Sequence, residues 1–343
     1  MRTMMPFLLA GYAVAVAAAG TWWLPRASWP QRAPRLGIAV WQGLTVTVVA
    51  SALLAGLLLT VPCLRVWADW PSLRACVMSV RGQYASTGGA LASTAGAVFS
   101  LAAAGRLAWF TGMAVTSSRR RRARHDEVLA MVGRRGPVPG MVLLEDDRPA
   151  VYCVPGRRRI VFTTGALRRL DSRQLDAVLA HERAHLTGRH HLVIILAAAV
   201  HRAFPHVGFF AVAASQIGCL VEMAADDAAA RRAHRLTLAD ALLTLAAARV
   251  PAGALGAGGT AGAQRIQRLI DSPQPAGRGR RMATSALALI AAPAVAFSAP
   301  ALALVAISHC PPSPAHSHLL ASNQLLKRDI GQIRTNLTGA TRS

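Results

Sequence analysis

Four stretches of this chain, 4–23, 36–61, 90–115 and 283–307, each run for 20 residues or more, and Arg106 is the only charge inside them. About 20 apolar residues carry a helix across the hydrocarbon core of a bilayer. One such run is readily a buried core helix, whereas four in 343 residues specify a membrane protein. Composition agrees: 53% of residues are hydrophobic and 15% charged, with a mean hydropathy of +0.36. Trp22, Trp23, Trp41, Trp67, Trp70 and Trp109 lie near the ends of the runs, where indole favours the headgroup layer. An alternative for the first run is a cleaved signal peptide, since Arg2 precedes it and small residues close it.

Arginines beside a span are retained on the cytoplasmic side. Arg26, Arg32 and Arg35 follow the first run, Arg119 to Arg122 and Arg124 follow the third, and Arg278, Arg280 and Arg281 precede the fourth. All three sites are cytoplasmic if the N-terminus lies outside, and a short tail, 310–343, is then outside too. The loop holding Cys63 and Cys76 also faces out, where the two thiols could pair; Cys153 and Cys219 are expected as thiols. The net charge of +23 comes from arginine with one lysine, Lys327. Together with abundant alanine, this reads as a bias of the source genome. No aromatic-interleaved basic groove or glycine-rich phosphate loop accompanies it, so direct nucleic-acid binding is not expected.

Between the third and fourth runs, 119–281 is the one segment able to form a polar domain. Residues 150–154 and 160–163 flank Pro155-Gly156 and read as a β-hairpin. Asp171 or Ser172 then caps a helix whose apolar positions Leu175, Val178, Leu179 and Leu186 repeat at three- and four-residue spacing. That helix carries His181-Glu182-Arg183-Ala184-His185, an HExxH motif. Two imidazoles four residues apart share a helix face and can reach one zinc ion. Glu182 beside them can take a proton from the attacking water and pass it to a leaving amine. Only four glutamates exist in the chain. Catalytic zinc needs a third protein ligand; Glu222 offers it, and Asp226, one turn along, can accept a hydrogen bond from the other ring nitrogen of a ligand histidine.

HExxH followed by ExxxD, on a domain inserted between spans three and four, resembles the BlaR/MecR-type membrane zinc metallopeptidases. These are gluzincin-like and related to HtpX and CAAX prenyl endopeptidases. The likeness covers roughly 141–235, including VYCVPGRRRIVFTTGAL ahead of HERAH. It implies one zinc ion per chain on His181, His185 and Glu222, Glu182 as catalytic acid and base, and Asp226 supporting a ligand. His190-His191 stands where relatives carry an acid followed by histidine. The β-lactam-sensing relatives end in a large penicillin-binding domain, but here 310–343 follows the last run without a Ser-x-x-Lys motif, so β-lactam sensing by acylation is not expected.

His181 and Glu222 must meet at one metal, so the apolar stretch 192–221 crosses the membrane an even number of times. We read it as a helical hairpin pressed on, or dipping into, the cytoplasmic leaflet. The strand 150–154 is a candidate edge for pairing with an extended peptide. His190, His191, His201, His206 and His234 are candidate oxyanion stabilisers, each read individually as a solvated or helix-end histidine. The fold expected is a mainly α membrane protein: three transmembrane helices within 1–118, an α+β zincin-like domain with a small sheet over 119–281, and a fourth transmembrane helix over 282–309. The function expected is zinc-dependent endopeptidase activity in a bacterial plasma membrane, acting on a protein or peptide substrate such as a transcriptional repressor. An HtpX-like quality-control protease and a non-catalytic zinc-bound sensor or scaffold are the alternatives.

Overall fold

Three long apolar helices, α1 (Met5–Trp23), α2 (Pro34–Thr60) and α3 (Thr87–Val132), form a bundle, α1 against α2 and α2 against α3. The computed structural model describes residues 5–60, 86–156, 158–247 and 259–271. The fourth apolar run, the tail 310–343, Cys63 and Cys76 lie outside the described residues. Close approach of α2 and α3 depends on two glycines: a Cβ on Gly96 would lie 2.5 Å from the carbonyl oxygen of Gly56 and 2.7 Å from Leu59 Cβ. Small residues serve this purpose between helices in lipid. Outward, the bundle exposes Phe7, Leu8, Val14, Leu91 and Leu101, each at least 65% accessible.

The third helix does not end with its apolar part. It continues as one 46-residue helix through Arg119–Arg122 to Val132, because no proline and no helix-stopping glycine intervenes between Gly112 and Gly133. The arginine cluster, expected as the opening of the polar domain, is therefore an extension of a bundle helix. The sheet that follows has the order β1-β2-β4-β3: β1 (Arg134–Arg135), β2 (Met141–Leu144), β3 (Val151–Val154) and β4 (Arg159–Thr163). β3 and β4 form the hairpin, antiparallel with Cys153 opposite Ile160, while β2 runs parallel to β4. One edge of the sheet is β3. Met141, Val151, Ile160 and Phe162 of one sheet face pack on Val178 and Leu179 of α4 (Ser172–Thr187) and on Ala241 and Leu245 of α7 (Arg235–Ala247).

The stretch read as a hairpin over 192–221 forms α5 (His190–Ala203) and α6 (Gly208–Ala229). The second arm runs eight residues further than the apolar pattern alone marked out, and so carries Glu222 and Asp226 on the same helix as Phe209. α6 is long and apolar enough to cross a membrane, as are α1, α2 and α3. Its Ile217, Leu220, Val221 and Met223 share one core with Trp41, Val40, Leu44 and Val48 of α2. The tip inserts among the other helices: Phe204, Val207 and Phe210 line an apolar cavity of about 600 Å³ with Ala13, Val48 and Phe99. Nε of Arg106 donates to the carbonyl oxygen of Ala203 at 2.9 Å. The last helix among the described residues, α8 (Gly259–Ile270), contacts α6 and α7.

Candidate metal centre

The site is built on α4. Asp171 caps it through a reciprocal capping box: its carboxylate accepts from Gln174 N–H at 2.7 Å, and Gln174 Oε1 accepts from Asp171 N–H at 3.0 Å. Gln174 also donates to Asp240 at 2.6 Å, fixing α4 to α7. Two turns along, His181 is 5% accessible, with His185 beside it on the same face.

Glu222 of α6 meets both imidazoles. His181 Nε2 and His185 Nε2 are 3.1 Å apart, His181 Nε2 is 3.7 Å from Glu222 Oε2, and His185 Nε2 is 3.5 Å from Glu222 Oε1. Ligand atoms about 2.0–2.2 Å from a tetrahedral zinc stand about 3.3–3.6 Å from one another. Two neutral nitrogens and one carboxylate oxygen, all within 4.8 Å of each other, therefore fit the donor set and the spacing of such an ion. Three residues that the sequence reading nominated are brought together here.

The surroundings hold this arrangement. His181 Nδ1 lies 3.0 Å from Asp226 Oδ1, a close contact that falls short of hydrogen-bond alignment. Burial, the largest influence on His181, disfavours its charged form, but contacts to Asp226 and Glu222 together outweigh it and raise its pKa to about 9. Without a metal the pocket thus favours the protonated form of this imidazole. Burial lowers His185 to about 4. Glu182 is pushed above the ordinary carboxylate range, again chiefly by burial, which suits a group that must both take and return a proton. It lies against Cys153 of the edge strand β3, whose thiol and backbone N–H both act on its carboxylate. The thiol is itself raised to about 12, by burial and by Glu182.

One participant lay beyond the sequence reading, and a second was read there in another role. Arg265 of α8 reaches Glu222 Oε2 at 2.9 Å and grips both oxygens of Asp226 at 2.8 and 2.9 Å. In so arginine-rich a chain nothing local singles it out. The only signal was the acidic surplus of Glu222, Asp226 and Asp227 on one apolar helix, which demands cations; Arg268 answers Asp227 at 2.7 Å. The second is His190, expected as a solvated or helix-end histidine. It does begin α5, but it is 9% accessible and its Nδ1 is 3.1 Å from His185 Nδ1.

Residues 115–269 match the model of Peptidase family M48. A "Protease HtpX homolog" from Ralstonia nicotianae is 34% identical over 89 residues, which are 25% of this chain and 31% of that relative. The chain thus aligns with about a third of the curated relative it matches. No solved structure matches. The matched residues include His181, Glu182, His185, Glu222, Asp226 and Arg265.

Proposed function

We propose that this protein is an integral-membrane endopeptidase that hydrolyses peptide bonds with one zinc ion held by His181, His185 and Glu222. The observation that carries the reading is the near-tetrahedral spacing of those three donor atoms, with Glu182 next to them. Zinc bound there supplies Lewis acidity toward a peptide carbonyl and toward water. Glu182, raised by burial, takes the proton of the attacking water and delivers it to the departing amine. Asp226 keeps the imidazole of His181 oriented, and Arg265 holds Glu222 and Asp226 in place. β3, an edge strand beside Glu182, offers its main chain to an extended substrate, which gives recognition with little dependence on sequence.

With the bundle helices read as membrane spans, the centre lies beside a membrane, and its substrates are membrane proteins or proteins recruited to its surface. Regulatory proteolysis, of a repressor for instance, is what the BlaR/MecR resemblance implies; HtpX-like quality control is the alternative, in keeping with the likeness to a "Protease HtpX homolog". The test is Glu182→Gln in purified full-length protein. This variant is expected to keep one zinc per chain and to lose at least about 100-fold in cleavage of itself or of casein. Identical cleavage by both proteins, or zinc absent from the wild type, rejects the proposal.

A further inference from the structure

We propose that His190 is a positioning residue for His185, dictating which nitrogen of that ring is left free to face a cation; this rests on the zinc-peptidase reading above. Nε2 of His185 points into the space shared with His181 and Glu222. For that nitrogen to present a lone pair while the ring stays neutral, the proton must sit on Nδ1, and a buried N–H needs an acceptor. Nδ1 of His190, 3.1 Å away, is that acceptor, and the two rings meet edge to face at 88° with centroids 5.0 Å apart. The proton of His190 then occupies its Nε2. The arrangement parallels His181, whose Nδ1 faces Asp226. Each imidazole of the motif has its remote nitrogen met by a separate side chain, one anionic and one neutral.

The chain is shaped to make this contact. α4 stops at Thr187, Arg189 adopts the left-handed conformation with φ 49°, and α5 begins at once with His190. A non-glycine residue held there costs about 1 kcal/mol or more, which the packing of the two helices it joins must offset. Gly188 has φ −75° and ψ −5°, a conformation any residue adopts, and its backbone gives no reason for glycine. Space does: a Cβ there would lie 2.4 Å from His190 Nε2 and 2.6 Å from its Cδ2, while the nearest backbone atom, the carbonyl oxygen of Ala184, would be 3.1 Å away. The glycine makes room for the ring that folds back onto His185.

The experiment measures Zn²⁺ affinity by chelator competition, and the Co²⁺ absorption spectrum, on full-length protein in detergent. His190→Ala is expected to weaken zinc 10- to 100-fold and to shift the cobalt bands. His190→Asn, whose side-chain oxygen falls close to the place of Nδ1, is expected to restore affinity to within about threefold. Gly188→Ala should weaken zinc on its own yet add nothing to His190→Ala, and His191→Ala should change nothing. Equal zinc affinity in wild type and His190→Ala, or failure of His190→Asn to rescue, overturns the assignment while leaving the metal reading intact. A wild type that holds no zinc overturns both.

Discussion

Charge is the currency of this centre at the scale of single residues. His181 is raised to about 9 in the absence of metal, above the roughly 6.5 of an unfolded chain. A group raised on folding stabilises fully below its unfolded pKa and loses that contribution as pH climbs through the folded value. Metal-free protein should therefore lose thermal stability between about pH 6.5 and pH 9. Zinc-loaded protein, with that proton replaced, should not lose it, and melting curves at graded pH with and without Zn²⁺ compare the two. Arg265 answers to the same physics. It is 16% accessible and Asp226 is 1%, so Arg265→Gln leaves buried carboxylates unpaired and should cost about 3 kcal/mol, measured by unfolding of metal-free protein. Arg265→Lys should recover only part, because an ammonium cannot span both oxygens of Asp226.

Elements place these residues by contact of backbones as much as of side chains. A Cβ on Gly37 of α2 would lie 2.9 Å from Leu220 Cδ1 of α6 and 3.0 Å from Pro30 Cβ. Gly37→Val should therefore cost about 1–3 kcal/mol and, by displacing α6 two residues from Glu222, lower zinc affinity. Gly11→Val, where nothing lies within 4 Å, is the control. What was legible in the sequence divides along this line. The capped helix, its paired imidazoles, the β3–β4 hairpin and the apolar helices all announce themselves through short-range spacing. Glu222 and Asp226 were legible because carboxylates are scarce. The contacts of Arg265 with Asp226 and of Arg268 with the Gln31 carbonyl span 39 and 237 residues of chain, and no periodicity encodes them. The fold-back of His190 is local, yet it hinges on the left-handed Arg189, a conformation that arginine does not advertise.

For the whole molecule, basic loops remain the guide to orientation, and a reporter joined after Arg124 should read as cytoplasmic while one joined after Ser317 should read as exterior. Reversal of both would invert the proposed topology and strand the proposed metal centre on the other side. One long-range hydrogen bond joins the tip of the inserted hairpin to the bundle. Ala203 ends α5, where helix carbonyls lack partners of their own, and Arg106 supplies one from the side of α3. If α3 spans a membrane as proposed, that guanidinium would be costly to leave unsatisfied. α3 is 46 residues long, an unbroken rod of about 70 Å at 1.5 Å per residue. That hydrogen bond ties the long rod to the tip of the hairpin, whose second arm carries Glu222.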